Sequence, residues 1–191
     1  MVPEHVLIEQ LKQGDEAAFK QIVEQWQDMV YNTVLGIVQN ETEAEDVTQD
    51  VFIRVYESVS SFKGESKFST WLYRVAVTKA LEFLRSKKRK KRFAFLKSLS
   101  GATEDDSVQP ADFHHPGVSL DNKERAAELF KAIGKLPENQ KAAFVLHKLE
   151  GLSYKEISDT LHLSVPAVES LMNRAKNNLK KYLENYYRNI R

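Results

Sequence analysis

Apolar residues recur at helical spacing over most of the chain. Phe19, Ile22, Val23, Trp26, Met29, Val30, Val34, Ile37 and Val38 form one long stripe. Val47, Val51, Val55 and Val59, flanked by Phe52 and Phe62, form a second. Thr42, with Glu45 three residues on, predicts a capping box at its start. Ser69 is placed to cap a third helix whose inward face carries Leu72, Val75, Ala76, Ala80, Phe83 and Leu84. No stretch alternates polar and apolar long enough to argue for a strand. From about Phe93 to Asn122 the pattern fails and Ser, Gly, Asp and two prolines accumulate, which reads as a linker. About thirty residues reach at most ~100 Å, roughly three turns of DNA. Helical spacing resumes at Leu129, Ile133 and Leu136. Pro137 suits the first turn of a further helix, with Ala143, Phe144, Leu146 and Leu149 apolar and Gly151 as its stop. The expected fold is all-α: two small helical domains, 1–92 and 123–191, joined by a flexible linker at 93–122.

The segment after Gly151 has a sharper shape. Ser153 and Glu156 predict a capping box, the helix they open runs to about Leu161, and His162, Leu163 and Ser164 make a three-residue turn. Ser164 caps a second helix. Ile157, Leu161, Val168, Leu171, Ala175 and Leu179 would pack together, which makes a helix-turn-helix. The second helix of such a unit lies in the DNA major groove, with its N-terminal residues nearest the base edges. Glu169, Ser170, Asn173, Arg174, Lys176 and Asn177 face outward. Asn and Arg suit bidentate contacts to adenine and guanine, and Glu accepts from cytosine. Lys176, Lys180 and Lys181 suit phosphates.

Composition narrows the class. Cysteine is absent, which excludes disulfides and thiolate metal sites. The N-terminal stretch is acidic and lacks the apolar core of a secretory signal, and no apolar run approaches the ~18 residues of a membrane span. Net charge is only +1, but it is unevenly distributed. Residues 1–84 hold twice as many acids as bases, seven of the eight residues 85–92 are basic, and the C-terminal third is again basic. That pattern suggests a nucleic-acid surface and a separate surface for another partner.

The basic block completes the most informative segment, FKGESKFSTWLYRVAVTKALEFLRSKKRKKR, from Phe62 to Arg92. A polar loop bearing aromatics leads into a helix that ends in cations. Cations bind phosphates and rings stack on unstacked bases, so this segment suits an opened strand.

Three stretches together resemble bacterial sigma factors of the sigma-70 class, in the compact extracytoplasmic-function (ECF) group. They are AEDVTQDVFIRVYESVSSF (44–62), KFSTWLYRVAVTKALEFLR (67–85) and LPENQKAAFVLHKLEGLSYKEISDTLHLSVPAVESLMNRAKNNL (136–179). The resemblance implies a region 2 bundle and a region 4 helix-turn-helix. It implies that Asp46, Gln49, Asp50, Phe52 and Arg54 grip the clamp helices of the polymerase β′ subunit, with the β flap as a second core contact. It implies that Lys67, Phe68, Trp71 and Tyr73 capture a flipped base of the −10 strand. Thr78, Lys79, Glu82 and Arg85 would then read that element, with Lys87, Lys88 and Arg89 on its backbone. The helix at 169–177 would read the −35 duplex. A cytoplasmic location and possible control by an anti-sigma factor are implied too, with no cofactor and no small-molecule substrate. Many relatives carry Asn at the position of Thr78, Asp at that of Glu82 and a base at that of Glu169, so no relative's promoter sequence carries over.

Other readings remain at this point. Enzymes are disfavoured: there is no phosphate-cradling Gly loop and no His-Glu-x-x-His, and His114 and His115 fall in the linker. A helix-turn-helix regulator acting without polymerase would have no need of residues 62–92. A helical adaptor that binds only protein is the third reading.

Overall fold

The computed structural model describes residues 2–99 and 123–189, and all the regular structure in them is helical. The helices are α1 (Glu4–Lys12), α2 (Glu16–Val38), α3 (Glu41–Ser58), α4 (Phe68–Leu99), α5 (Lys123–Gly134), α6 (Glu138–Lys148), α7 (Tyr154–Leu161) and α8 (Val165–Asn189), with a 3-10 turn at Val59–Ser61. No described helix is long and apolar enough to cross a membrane. Residues 100–122, most of the expected linker, lie outside the described residues, as do His114 and His115.

The boundaries follow local chemistry. Asp15 caps α2 by accepting from Ala17 N at 2.8 Å and Ala18 N at 3.0 Å. Helix α2 ends on Gln39 in the left-handed conformation (φ 60°), and α3 starts at once, because the Asn40 side chain accepts from Glu43 N. The expected Thr42 cap is therefore wrong; Asn40 does the same job two residues earlier, and Thr42 is exposed inside the helix. Ser69 is likewise not a cap. The carbonyl of Lys67 already accepts from Thr70 N and Trp71 N, and buried Phe68 anchors the first turn. At its far end α4 runs on to Leu99, past the expected break at Phe93. The apolar stripe stops there, but nothing before Gly101 breaks a helix, and the Lys, Arg, Ala and Leu of this stretch are good helix formers. Pro137 occupies the N-cap of α6, one position ahead of the first turn.

The helix-turn-helix forms as read. Ser153 and Glu156 make a reciprocal capping box at α7. His162 turns the chain with φ 53°, and Ser158 Oγ clamps the turn by donating to the Leu163 carbonyl at 2.6 Å. The Ser164 side chain accepts from Ala167 N at 3.4 Å, and its carbonyl from Val168 N.

Two bundles result. In the first, Ile22, Val30 and Val34 of α2 meet Val47, Val51 and Val55 of α3 and Phe68, Leu72, Ala76 and Ala80 of α4. In the second, Ile133, Phe144, Leu146 and Ile157 close on Val168, Met172, Ala175 and Leu179 of α8. Helix α4 then uses another face. Val77 and Leu81, outside the expected apolar stripe, are also buried, and they line a cleft of about 300 Å³ together with Ala142, Leu161 and Leu163 of the second bundle. Helix α2 meanwhile packs on α5 and α6. The two cores are thus continuous across a seam.

Phe68 is 1% exposed and makes edge contacts with Phe62 and Trp26. Phe68→Ala should therefore cost about 3–5 kcal/mol in urea unfolding, as a buried aromatic does. A loss under about 1 kcal/mol would contradict its place in the core.

Candidate nucleic-acid and polymerase interface

Helix α3 presents Asp46, Gln49, Asp50 and Arg54 to solvent. Phe52 is 6% exposed and belongs to the core, so the expectation that it contacts polymerase is corrected: two residues past Asp50, it points away from that exposed side chain and into the bundle. Ile53, 56% exposed, completes the face instead, seven residues after Asp46. The same period, read along 46, 49, 50 and 53, is the signal that marks it.

The aromatic cluster splits in two. Phe68 is interior and offers no face to a base, which corrects its expected role. Trp71 is half-buried, its ring 5.5 Å from that of Phe68 and 5.6 Å from that of Phe62, so one side rests on the core. It lines a cleft of about 380 Å³ with Arg74, Thr78, Lys79 and Glu82 of α4 and Arg54 of α3. Thr78 and Glu82 are exposed, and Lys79 lies 3.9 Å from Glu82. Arg74 is the residue missed in the sequence, although it sits between Trp71 and Thr78 on one helix face.

Further along α4 a cationic groove of about 1170 Å³ opens between α3 and α6. Arg85, Lys88, Arg89 and Arg92 line it, with Glu138 and Asp50 at its edges. Arg85 Nε donates to Glu138 at 2.7 Å, and Lys88 Nζ lies 3.5 Å away from the same carboxylate. Both cations hold the Glu138 carboxyl below its usual range, the Arg85 hydrogen bond most of all. Lys87 turns away and pairs with Glu43.

On α8 all six expected residues, Glu169, Ser170, Asn173, Arg174, Lys176 and Asn177, are exposed along one face. Arg174 Nε donates to the Ser170 carbonyl at 3.2 Å. Its side chain shares a groove of about 480 Å³ with Arg85 and Lys88, so the two cationic surfaces adjoin.

The seam has its own chemistry. Tyr73 Oη donates to Glu150 at 3.3 Å. Arg74 donates to the carbonyls of Asp159 at 2.7 Å and Thr160 at 3.0 Å, where α7 ends and its dipole is negative. Lys67 lies 3.9 Å from Glu156. Gln39 Nε2 donates to the Phe130 carbonyl at 2.7 Å. Lys141 is buried with its ammonium 3.5 Å from the Ile37 carbonyl, and burial lowers its pKa to about 8. Among the described residues no cluster of His, Cys, Asp and Glu could hold a metal ion.

These surfaces fall in two family segments. Residues 22–90 match the model of Sigma-70 region 2, and residues 126–179 match that of Sigma-70, region 4. The chain is 32% identical over 181 residues to the ECF RNA polymerase sigma-E factor of Haemophilus influenzae, covering 95% of both. It is 33% identical over 179 residues to the ECF RNA polymerase sigma factor SigW of Bacillus subtilis, covering 92% of this chain and 94% of that one. The chain belongs to the ECF RNA polymerase sigma factors. Membership favours a sigma factor over a regulator that acts without polymerase. The fold is similar to CnrH, solved in complex with the cytosolic domain of CnrY, with a TM-score of 0.64 and 25% identity over 95% of this chain and 97% of that one.

In this sigma factor Glu150 gives the seam a pH dependence. Burial pushes its carboxyl from 4.5 up to about 7, against the smaller effect of hydrogen bonds from Tyr73 of α4 and Thr33 of α2. Glu156 of α7 is the further charge near Tyr73. The docked state holds the proton more tightly, so Glu150 assists docking below pH 4.5 and that assistance is lost as pH rises through about 7. Small-angle scattering should find a smaller radius of gyration near about pH 5.5 than near about pH 7.5, and Glu150→Gln should flatten the difference. An unchanged profile in Glu150→Gln would contradict this assignment.

Proposed function

We propose that this sigma factor lends promoter specificity to core RNA polymerase through three surfaces, with no covalent chemistry of its own. The α3 face carrying Asp46, Gln49, Asp50, Ile53 and Arg54 takes the β′ clamp helices, and the C-terminal domain takes the β flap. The cleft beside Trp71 captures an unstacked base of the −10 strand. Arg74, Thr78, Lys79 and Glu82, which line the cleft with Trp71, surround that base, and Lys67, Arg85, Lys88 and Arg89 follow the backbone. Glu169, Ser170, Asn173 and Arg174 read the −35 duplex, with Lys176 and Asn177 at its phosphates. The division gives residues 1–92 and 123–191 as the two working parts, with α4 running on to Leu99 beyond the first.

The observation that carries the reading is the cleft of about 380 Å³ itself: a ring braced on one side by Phe62 and Phe68 and open on the other, flanked by cations. Base extrusion costs a few kcal/mol, and stacking returns about 1–3 kcal/mol per base. Melting is therefore driven by binding, and polymerase makes the RNA. The protein is not an enzyme, and it works in the cytoplasm beside polymerase. A protein that covers the same surfaces is the fitting class of inhibitor, an anti-sigma factor.

Run-off transcription from fragmented genomic DNA, with bacterial core polymerase and this chain, tests the reading. Discrete chain-dependent transcripts are expected. Binding to duplex DNA without binding to core would favour an independent regulator, and core binding without new starts would favour an adaptor. On a promoter so found, Trp71→Ala should weaken open-strand binding by about 1–3 kcal/mol and leave duplex binding intact. Arg174→Ala should weaken −35 recognition by a similar ~1–3 kcal/mol. Equal losses in both assays for Trp71→Ala would contradict a melting role.

A further inference from the structure

Helix α4 outruns the bundle it belongs to. Every residue from Lys88 to Phe95 is exposed, so about two turns of the helix stand clear of other elements. Phe93 is 72% exposed and Phe95 64%, the two highest values for large apolar side chains among the described residues. Lys87 pairs with Glu43, and Arg85 and Lys88 pair with Glu138. Among the described residues Arg89, Lys90, Lys91 and Arg92 have no carboxylate partner. After Phe95 the sequence continues with Leu96, Lys97, Ser98 and Leu99. Unpaired cations are thus followed at once by exposed rings, on a helix end that projects from the protein.

Phosphate alone does not explain the rings. A DNA backbone would satisfy the cations and leave Phe93 and Phe95 in water. Nor does one flat surface or groove suit both. Two residues apart on an α-helix, the rings point ~200° from each other, so a partner that covers one leaves the other bare. A base stacked on Phe93, four residues past Arg89, would leave Phe95 on the far side. Along the axis, however, the rings differ by only ~3 Å. A fluid medium surrounding the helix end would cover both at one depth. The boundary between the headgroups and acyl chains of a bilayer is such a medium, and anionic lipid at its surface attracts Lys and Arg.

The length of the projection matters as well. Residues 1–84 hold twice as many acids as bases, so an anionic surface repels the bundle itself. Eight exposed residues, Lys88 to Phe95, carry the rings ~12 Å outward, beyond the ~8 Å over which charge is felt at physiological ionic strength.

We propose that the projecting end of α4 docks on anionic phospholipid bilayers, with Arg89, Lys90, Lys91 and Arg92 at the headgroup phosphates and Phe93 and Phe95 entering the acyl boundary. The chain then rests on a membrane surface when polymerase does not hold it. Arg89 meets phosphate in both places, so lipid and promoter compete for the chain. That competition rests on the DNA reading of Arg89; the lipid site does not. Each cation near an anionic surface strengthens adhesion about fivefold, and each ring taken out of water about tenfold.

Vesicles of phosphatidylcholine, with and without phosphatidylglycerol, are the probe. The full chain should co-float with the mixed vesicles and not with the neutral ones, and salt should release it. Phe93→Ala together with Phe95→Ala should weaken this binding about tenfold to a hundredfold and leave run-off transcription at the parent level. Lys90→Glu together with Lys91→Glu should release the chain from the vesicles. All four side chains are exposed, so these variants keep the fold. Phe93→Trp, read against the native Trp26 and Trp71, should gain emission that lipids brominated in their acyl chains quench, since only a ring inside the bilayer meets those bromines. Failure to bind mixed vesicles, or equal binding to neutral ones, overturns the proposal. So does binding that survives loss of both rings, or absence of quenching in Phe93→Trp, because charge alone then accounts for adhesion. If the double alanine variant keeps its vesicles and loses a labelled single strand, the rings serve DNA and the proposal fails. The vesicle measurements involve no polymerase, so their failure is distinct from failure of the sigma-factor reading.

Discussion

Helix α4 is buried on two faces at once, and the other contacts of the molecule are arranged around it. One face, with Phe68, Leu72, Ala76 and Ala80, closes the N-terminal bundle. Another, with Val77 and Leu81, lies against the C-terminal domain. Between them run the polar and cationic groups that suit nucleic acid. Because helix residues three or four apart share a face, the groups suited to nucleic acid and the groups that dock the second domain are neighbours, and Arg74, which lines the Trp71 cleft and donates to the end of α7, falls in both sets. The sigma factor cannot present the whole of this helix to a promoter and to its own C-terminal domain together.

Energetics determine which contacts hold the closed state. The polar contacts of the seam are partly exposed, and such pairs contribute little. Apolar burial of Val77, Leu81, Ala142 and Val145, with close approach at Gly36, supplies the adhesion, while carboxylates at 138, 150 and 156 set the orientation. An interface of this kind suits a protein that must open: specific enough to cover one face, and weak enough for a larger partner to displace. Half-buried Glu150 and buried Lys141 are ionisable groups whose charging opposes docking.

Sequence and structure agree where the deciding interactions are local. The capping box of Ser153 and Glu156, the turn at His162 and the outward row from Glu169 to Asn177 depend on neighbours within one or two turns. Disagreement appears where tertiary packing decides. Phe52 and Phe68 read as contact residues by motif, yet each is interior because the bundle needs a large side chain there. Asn40 outcompetes Thr42 as a cap because α2 ends at Val38 with Gln39 as its C-cap, which leaves Asn40 next in the chain. Residues 93–99 lose the apolar stripe and still continue α4, since a helix also persists where nothing breaks it. Arg74 and Gly36 have no mark in the periodicity; their roles come from atoms of another domain, about a hundred residues away in the chain.

The closed free state is the central claim, and a distance measurement tests it most directly. Cysteines placed at exposed Asp28 and Lys180 would carry a donor and an acceptor dye, with no native thiol to compete. Energy transfer should be high in the free sigma factor and fall sharply when core polymerase and promoter DNA are added together. Transfer that is low in the free chain, or that stays unchanged in the polymerase–promoter complex, would contradict the account.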